Sequence, residues 1–545
     1  MKSKVALAAP VVLSILMGCG APSRPAGTSS GGGAPGAGGT SASGGSIVGS
    51  GGSSGSGGTS STTSSGGATQ PGGTTGQGGS AAGGVNNAGG NTAVGGAAGS
   101  GGKTGSGGAT ATSSGGVTGA GGVTAAAGGA TGSGGTTNSS GTWPQGPCDI
   151  YQAGNTPCAG AHSTVRALYS SYSGPLYQVQ RASDKTTKDI PIGSGGFADT
   201  TVQDSFCSGT TCTIPIIYDQ SPNGNHLRVT WWAYWLQSGG NPATANAAKI
   251  TVGGHTVYGI KSGTNVAYRT GTQLDGTAAV VKGSTTVTFT SPQTIPANSP
   301  LMFTIQAKDC LPNSWPNNCN AHPCYTADAT NASTTVTLKT AYNGTASANT
   351  VAWNQGTKGL ASGDDPEAMY SVLDARVYSQ WCCFDYGSAE FDGVDDGKAT
   401  MEALYFGNST QFGSHGSGAG PWFLADIEDG MYAGDSASET GSVASNTSIT
   451  GMSYVTGMLR GPSGNKMGIK AGDAQSGKLQ VKWDGARPPL YSPMKKQGAI
   501  ILGTGGDGSN TGAGIWFEGA ITNGLPTDAT DDAVQANIVG VGYGK

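Results

Sequence analysis

The sequence is poor in charge, in histidine and in long apolar runs, and each shortage excludes a class of function. Only 11% of its 545 residues are charged, and the net charge is −4. No basic stripe is present that would attract a phosphate backbone, so we expect no nucleic-acid partner. The five histidines are scattered and no C-x-x-C pair occurs, which argues against a structural zinc site. We therefore expect neither a bound metal nor a cofactor.

The one marked apolar run lies at the N-terminus, over residues 5–17, and is too short to span a bilayer as a helix. It follows Lys2 and Lys4, a pattern typical of a secretory signal. Its last residues, Leu-Met-Gly-Cys at 16–19, are similar to a bacterial lipobox, in which Cys19 becomes the lipidated first residue of the mature chain. We expect residues 1–19 to be a lipoprotein signal peptide, and the protein to be extracytoplasmic and anchored by lipid to a bacterial outer membrane or cell surface. The alternative is an ordinary cleaved signal with a chance cysteine.

Residues 20–142 contain no aromatic side chain and almost no charge. Lys103 is the only charged residue between Arg24 and Asp149, and Gly, Ser, Thr and Ala make up nearly all of the segment. This composition cannot bury enough apolar surface to offset the entropy of an ordered backbone. We therefore expect a disordered stalk with an r.m.s. reach of about 60 Å, followed by one folded region at 143–545.

Strand signals dominate the folded region, where short β-branched or aromatic runs alternate with Gly, Asn and Pro. The predicted strands are Thr213–Asp219, Thr285–Thr290, Thr334–Thr340, Ala368–Asp374, Met401–Phe406, Pro421–Ile427, Leu479–Trp483, Ala499–Thr504 and Gly514–Ala520. Helical spacing of apolar residues predicts a helix over His162–Tyr172, and a second helix is predicted over Asp531–Val539 with Thr530 as its cap. Many strands and few helices predict an all-β sandwich or jelly-roll.

Two acidic segments have the composition of a catalytic site. Strand alternation after an apolar run directs Asp426 and Glu428 to the same face, where ionised carboxylates are costly unless hydrogen-bonded or used in chemistry. The alternative is a solvated strand end, or carboxylates that accept hydrogen bonds from a neighbouring backbone amide. Asp507 lies in a glycine-rich segment that also matches G-x-G-x-x-G, but Ser, Asn and Thr follow instead of a helix, so we expect no dinucleotide site. The glycines are expected to let the backbone approach a ligand.

Nine cysteines lie in the folded region, and their spacing leaves several pairings open. They form two close pairs, one adjacent pair and an odd trio: Cys148 with Cys158, Cys207 with Cys212, Cys382 with Cys383, and Cys310, Cys319 and Cys324. The adjacent cysteines are either bonded in a small ring or two buried thiols. One member of the trio can be free, and the sequence does not say which.

Five motifs occur in a fixed order between residues 147 and 545. They are CDIYQAGNTPC at 148–158, AHSTVRALYS at 161–170, IYDQSPNGNHL at 217–227, CCFDYG at 382–387 and GAIILGTGGDGSN at 498–510. Together they closely resemble the catalytic domain of fungal-type α-L-arabinofuranosidase B, glycoside hydrolase family 54. The resemblance implies a β-sandwich, the disulfides Cys148–Cys158 and Cys207–Cys212, and a Cys382–Cys383 disulfide lying against the sugar.

The same matching implies roles for four residues. Glu428 falls on the family's nucleophile and Asp507 on its general acid/base, while Asp426 and Gly506 fall on residues that hold the arabinofuranose. Retaining hydrolysis needs one ionised carboxylate and one protonated carboxyl about 5 Å apart. Burial and a neighbouring negative charge would keep Asp507 protonated until Glu428 is consumed as an ester.

The sequence departs from the family pattern in four places. Asp429-Gly430-Met431 replaces the family's Asn-Asn-Leu after the nucleophile, which removes two amide side chains that would contact sugar. Phe412 replaces a tryptophan wall and lacks the indole donor. Residues 272–361 are expected to be a β-rich insertion. We expect no counterpart here to the family's arabinose-binding C-terminal module, and we expect the lipid anchor and stalk to take over its localising role.

These observations predict a monomeric, retaining glycosidase that releases terminal non-reducing α-L-arabinofuranosyl residues from arabinan or arabinoxylan, a plant polysaccharide or its oligosaccharides. Membrane contact is expected only through the N-terminal lipid. One alternative is a carbohydrate-binding surface lipoprotein without catalysis. Another keeps the mechanism but acts on galactofuranosides or xylosides, because Phe412, Gly430 and the insertion differ from the family.

Overall fold

The structure is a computed structural model and describes residues 143–236, 239–308, 324–438, 440–510 and 512–545. The predicted signal peptide with Cys19, the predicted stalk at 20–142, and Cys310 and Cys319 lie outside the described residues. Within the described ranges, none of the helices has both the length and the apolar character needed to cross a membrane.

Helices are few and short. Among the described residues the three α-helices are α1 (Pro147–Ala153), α2 (Thr200–Phe206) and α3 (Asp528–Val541), and 3₁₀ turns lie at Ser194–Gly196 and Thr304–Lys308. The predicted C-terminal helix is confirmed as α3, but its predicted cap is wrong. Thr527 caps the helix, since its side chain accepts a hydrogen bond from the Thr530 N–H at 3.2 Å.

Strands are the predominant regular structure of the described residues. In chain order they are β1 (Cys158–Ser163), β2 (Tyr177–Arg181), β3 (Thr187–Ile190), β4 (Cys212–Ile217), β5 (Leu227–Val229), β6 (Ala243–Thr244), β7 (Lys249–Val252), β8 (His255–Tyr258), β9 (Ile260–Ser262), β10 (Tyr268–Thr270), β11 (Thr272–Gln273), β12 (Ala278–Val280), β13 (Thr286–Ile295), β14 (Ser299–Phe303), β15 (Tyr325–Ala327), β16 (Thr330–Thr337), β17 (Ser347–Thr350), β18 (Ala352–Asn354), β19 (Glu367–Asp374), β20 (Asp385–Ala389), β21 (Glu402–Gly407), β22 (His415–Ser417), β23 (Trp422–Asp426), β24 (Met431–Tyr432), β25 (Ser442–Thr447), β26 (Tyr454–Gly461), β27 (Met467–Asp473), β28 (Gln480–Gly485), β29 (Ala499–Leu502) and β30 (Gly514–Asn523).

Two large antiparallel sheets form a β-sandwich. The seven-stranded sheet has the order β1-β30-β19-β26-β27-β28, with β9 also paired to β30. The eleven-stranded sheet has the order β24-β23-β21-β20-β29-β10-β5-β4-β2-β3, with β6 also paired to β4. All nine predicted strands overlap observed strands, and the predicted all-β sandwich is confirmed.

The core lies between these two sheets. Met369 and Trp516 from the smaller sheet pack in one buried cluster with Phe423 and Ile500 from the larger sheet. The sheets approach closely where β26 crosses β23, because a methyl carbon at Gly457 would lie 2.2 Å from the Phe423 ring. The larger sheet therefore has one face in the core and one face available for a site.

The segment predicted as an insertion forms two small sheets of its own. One has the order β11-β18-β14-β15 and the other β16-β13-β12-β17. Val287, Phe289, Leu301 and Tyr342 contribute to a separate buried cluster within this segment. The predicted β-rich character is thus observed, with a core distinct from the sandwich core.

The helix predicted over His162–Tyr172 is wrong. After β1 the chain turns, and Ser163 Oγ accepts hydrogen bonds from the N–H groups of Val165 and Arg166, each at 3.0 Å. The Arg166 guanidinium makes a buried bidentate pair with Glu518 at 2.7 Å. Val165, Leu168 and Tyr169 are buried and Tyr172 is partly buried, much as their spacing suggested, but these side-chain bonds replace helical ones.

Three disulfides lie in the described region: Cys148–Cys158, Cys207–Cys212 and Cys382–Cys383. The first ties α1 to β1 and the second ties the end of α2 to β4. Among the described cysteines, Cys324 is the one outside a disulfide.

Candidate active site

Alternation along β23 supplies the first acid of the site. Phe423 and Ala425 face the sandwich core, so Trp422, Leu424 and Asp426 face the opposite side of the large sheet. Asp426 is only 6% exposed. The face of the sheet turned away from the core therefore carries a buried carboxyl at the end of an apolar strand.

Glu428 reaches the same region by a different route from the predicted one. The strand ends at Asp426, and the Ile427 N–H donates to the Gly430 carbonyl at 3.2 Å, which closes a turn. Glu428 and Asp429 adopt left-handed backbone conformations, with φ of 64° and 51°. Strand alternation does not place Glu428, because the strand ends before it, but its carboxyl lies near that of Asp426 as predicted. Non-glycine residues in this conformation cluster at functional sites because strain there must be held by the surrounding structure.

Asp507 lies in a turn that follows β29. The Gly505 N–H donates to the Ser509 carbonyl at 2.9 Å, and the Ser509 N–H donates to Asp507 Oδ1 at 2.9 Å. The Gly503 N–H donates to the Asp385 carbonyl at 2.8 Å, which holds the turn beside β20. As the sequence predicted, turns and loop rather than a helix follow the G-x-G-x-x-G match.

Gly506 brings the two acidic segments together. A methyl carbon at this position would lie 3.1 Å from Glu428 Oε2 and 2.2 Å from Glu390 Oε2. At the preceding Gly505 a methyl carbon would lie 3.4 Å from Asp507 Oδ1. The glycines thus let the backbone pass between carboxyl groups that side chains would push apart.

The adjacent cysteines form a sulfur surface beside these acids. Cys383 Sγ lies 3.6 Å from Asp426 Oδ2, and a methyl carbon at Gly505 would lie 3.1 Å from Cys383 Sγ. Ser509 Oγ lies 3.4 Å from Cys382 Sγ and 3.3 Å from Cys383 Sγ. The disulfide therefore lies against both Asp426 and the turn that carries Asp507.

Phe412 packs against the same surface. It belongs, with Cys382, to the partly buried residues around an apolar cluster that contains Cys383, Trp422 and Met431. Its carbonyl accepts a hydrogen bond from the Met431 N–H at 2.6 Å. The predicted aromatic wall is thus next to the disulfide.

Burial raises the pKa values of the site carboxyls. The pKa of Glu428 lies well above its usual range, first because of burial and then because of the negative charges of Glu390, Asp395 and Asp507. Burial also raises the pKa of Asp507, against hydrogen bonds from Ser509 that lower it. Because these buried acids lie close together, the charge of each one disfavours ionisation of the others.

Asp429 and Gly430 lie at the rim. Lys398 Nζ is 3.8 Å from Asp429 Oδ2, with both side chains more than a third exposed. Tyr491 donates a hydrogen bond from its hydroxyl to the Asp429 carbonyl at 3.0 Å. A methyl carbon at Gly430 would lie 2.4 Å from the Tyr432 hydroxyl oxygen, so this position has room only for glycine.

Sequence reasoning missed three buried polar residues of the site. Asp385 begins β20 and Glu390 follows its end; burial is the first cause of their raised pKa values, to about 8 for Glu390. Arg269 on β10 donates hydrogen bonds to the carbonyls of Glu390 and Gly506. The sequence signal that could have found Asp385 and Glu390 is the presence of an acid at each end of one short strand. Arg269 had none, because its partners are backbone atoms distant in sequence.

The geometry suits acid–base and nucleophilic chemistry at a small polar ligand. The Glu428 carboxyl approaches Gly506 and the Asp507 carboxyl lies by the adjacent Gly505. The disulfide lies beside them and Phe412 packs in the same apolar cluster, and a third carboxyl, that of Asp426, is buried at the same surface. Carboxyl pairs of this kind perform glycoside hydrolysis.

The chain is similar to a set of curated and structurally characterised proteins. Residues 147–291 and 308–544 match the family model described as alpha-L-arabinofuranosidase B, catalytic. A probable alpha-L-arabinofuranosidase B of Aspergillus fumigatus is 40% identical over 407 residues, covering 73% of this chain and 62% of the relative. An arabinofuranosidase/B-xylosidase of Trichoderma koningii is 40% identical over 404 residues, covering 73% of this chain and 63% of the relative.

Solved structures agree with the sequence relatives. A GH54 a-l-arabinofuranosidase soaked with a cyclic sulfate inhibitor superposes with a TM-score of 0.55 at 37% identity, covering 73% of this chain and 66% of the other. An arabinofuranosidase complexed with arabinofuranosyl-alpha-1,2-xylobiose gives the same TM-score at 36% identity, with the same coverage. The chain spans less than two thirds of the length of these relatives. It belongs to the family of the alpha-L-arabinofuranosidase B catalytic domain, glycoside hydrolase family 54.

Proposed function

We propose that the protein is a retaining glycosidase that releases terminal non-reducing α-L-arabinofuranosyl residues from arabinan or arabinoxylan. The observation that carries this proposal is the position of the Glu428 carboxyl, which reaches Gly506, the residue next to Asp507, and feels the negative charge of Asp507, in a chain that belongs to the family. The relatives' names, and the arabinofuranosyl-xylobiose bound to one of them, support the substrate class.

Glu428 and Asp507 have different roles in this mechanism. Glu428 attacks the anomeric carbon as a carboxylate, which requires it to lose the proton that burial favours, and it forms a glycosyl ester. Asp507 gives its proton to the glycosidic oxygen, so the leaving alcohol departs neutral. Asp507, now ionised, accepts a proton from the water that hydrolyses the ester, which restores both groups. Consumption of the Glu428 charge as an ester removes a neighbour that favours protonated Asp507, and this helps its change from acid to base.

The remaining site residues bind the sugar. Asp426 and the Gly506 backbone hold hydroxyl groups of the arabinofuranose, and the Cys382–Cys383 disulfide and Phe412 supply an apolar surface for its ring. Asp429 and Gly430 border the site, where Lys398 partly neutralises Asp429. This rim has two fewer amide side chains than the family pattern, and their loss would make the site less selective for the sugar that is released.

A second candidate keeps the mechanism and extends it to xylosides. The observation that favours it is the Trichoderma koningii relative, whose name joins arabinofuranosidase and B-xylosidase. The exchanged residues Phe412 and Gly430 are the positions at which such a change of glycone would arise.

We further propose an organisation of signal peptide 1–19 with lipidated Cys19, stalk 20–142 and catalytic domain 143–545 with an insertion at about 272–361. The separate apolar core of the small sheets supports the insertion. Three disulfides among the described residues support an extracytoplasmic location, where such bonds persist. Labelling of the expressed protein with a radioactive fatty acid, lost in Cys19→Ala, tests the anchor. An unlabelled wild-type chain contradicts it.

A panel of nitrophenyl glycosides tests the activity. The full chain should release nitrophenol from the α-L-arabinofuranoside, and comparison with the β-D-galactofuranoside and β-D-xyloside defines the glycone. Sugar binding without any release would favour the non-catalytic alternative.

Two variants test the roles of the acids. Glu428→Gln should lose nearly all turnover with its fold intact, and a rate above a tenth of wild type, a loss under about 1.4 kcal/mol of barrier, contradicts the assignment. Asp507→Asn should regain turnover with azide on a substrate that has a good leaving group. Absence of this rescue in a folded variant counts against the acid/base role.

A further inference from the structure

An aromatic cluster lies between β5 and β6, immediately beside the site. Its members are Trp231, Trp232, Tyr234 and Trp235. Trp231 stacks on Trp353 of β18, with ring centroids 5.5 Å apart and ring planes 7° from parallel, and Tyr234 is only 2% exposed. Trp235 differs from its neighbours because it is 50% exposed.

The backbone fixes this cluster to two turns of the site. The Trp235 N–H donates to the Asp507 carbonyl at 3.0 Å, and the Tyr234 N–H donates to the Gly393 carbonyl at 2.8 Å. Packing is tight, since a methyl carbon at Gly508 would lie 2.4 Å from Ala233 Cβ. The Tyr234 ring meets the Trp235 ring edge-to-face at 5.2 Å. Trp235 is therefore an exposed ring on a rigid support.

The edge of the indole is turned to the acid. Burial raises the pKa of Asp507, and hydrogen bonds from Ser509 and from the Trp235 side chain oppose that effect. Nε1–H is the only polar group of a tryptophan side chain, so this bond places the N–H edge at the Asp507 carboxyl. The exposed part of the Trp235 ring then lies next to the carboxyl proton that Asp507 would give to the glycosidic oxygen.

We propose that Trp235 is the platform for the leaving-group sugar and that it selects a xylopyranosyl unit of arabinoxylan; this inference rests on the proposed function. A general acid contacts the glycosidic oxygen, and the sugar beyond that oxygen is the leaving group. A ring held at Asp507 is therefore adjacent to the leaving group. Xylopyranose has equatorial hydroxyls and no hydroxymethyl group, so it offers a flat C–H face to a planar ring, whereas a puckered arabinofuranose offers less contact.

The small sheets support this platform. Met302 of β14 packs in a buried cluster with Trp232, Tyr234 and Val394, and Trp353 of β18 stacks on Trp231. The segment predicted as an insertion thus braces the rings that hold Trp235. Its role would be to build the leaving-group subsite rather than the arabinose pocket.

Steady-state kinetics on three substrates tests the inference with the full chain. The substrates are arabinofuranosyl-α-1,2-xylobiose, α-1,5-arabinobiose and methyl α-L-arabinofuranoside, which share the glycone and differ in the leaving group. Trp235→Ala should lower kcat/KM for the xylobiose derivative at least tenfold more than for the methyl glycoside, and more than for arabinobiose. Trp235→Phe, which keeps a flat ring, should retain most of this selectivity.

The matched control is Val481→Ala. Val481 is an apolar residue on β28 in the other sheet, and its exposure of 59% is similar to that of Trp235. This variant should leave all three rates unchanged. Equal losses on all three substrates in Trp235→Ala would show a structural role only and overturn the platform, as would no loss. If the wild-type chain cleaves none of the substrates, the proposed function itself fails.

Discussion

Replacement of Gly506 by alanine tests the geometry on which the site depends. The new methyl carbon would lie 2.2 Å from Glu390 Oε2, and 3.1 Å from both Glu428 Oε2 and Met401 Sδ. Atoms at 2.2 Å must separate. Glu390 has little freedom to move, because it is fully buried and its Oε1 accepts a hydrogen bond from Thr400 Oγ1 at 2.5 Å.

The Gly506 backbone is also held in place, since its carbonyl accepts a hydrogen bond from the buried Arg269 guanidinium. Overpacking of a filled site costs about 1–3 kcal/mol. A displacement of about 1 Å at a catalytic group costs on the order of 100-fold in rate. Gly506→Ala should therefore lose about 1–3 kcal/mol in the free energy of unfolding and about 100-fold in kcat/KM.

Urea unfolding and hydrolysis of 4-nitrophenyl α-L-arabinofuranoside measure the two effects. The matched control is Gly540→Ala in α3, where a methyl carbon would meet no atom within 4 Å. It should gain up to about 1 kcal/mol in unfolding free energy with unchanged kcat/KM. A Gly506→Ala enzyme with a rate within about threefold of wild type would refute the close packing of the Glu390 and Glu428 carboxyls around Gly506.

Three further predictions concern Asp507, Glu390 and Arg166. Trp235→Phe removes a hydrogen bond that lowers the pKa of Asp507, so the alkaline limb of the kcat/KM profile should move to higher pH; an unmoved limb contradicts that bond. Burial raises the pKa of Glu390 to about 8, above its unfolded value of about 4.3. Its contribution to stability is therefore complete below about pH 4.3 and is lost as the pH rises through about 8. The unfolding free energy of Glu390→Gln should fall less over that range than that of wild type, and equal slopes would refute this. Arg166→Met leaves Glu518 buried without its partner and should cost about 3–5 kcal/mol in urea unfolding, mostly recovered by adding Glu518→Leu. A loss below about 1 kcal/mol would contradict the pair's burial.

The strands could be predicted from the sequence because runs of apolar and β-branched residues directly indicate which stretches are buried. Ala368–Asp374 was predicted and Glu367–Asp374 is observed, with all eight residues buried. The helix predicted over His162–Tyr172 shows the limit of that reasoning. Apolar spacing records which side chains are buried, and a looping chain held by side-chain hydrogen bonds can bury the same set.

The site was only partly predictable. The resemblance supplied Glu428 and Asp507, and strand alternation correctly placed Asp426. Alternation failed for Glu428, because the left-handed turn that carries it is set by the surrounding structure. Arg269 and Trp235 were missed, since each acts through contacts with Gly506 or Asp507 that exist only once distant strands pair.

Covalent trapping tests most directly whether Glu428 attacks the anomeric carbon. The full chain is treated with a cyclic sulfate inhibitor of the class soaked into a solved relative, digested, and mapped by tandem mass spectrometry. One sugar adduct per chain on Glu428, absent from Glu428→Gln, is the expected result. An adduct on Asp507, Asp426 or Glu390 would contradict the assignment of the nucleophile.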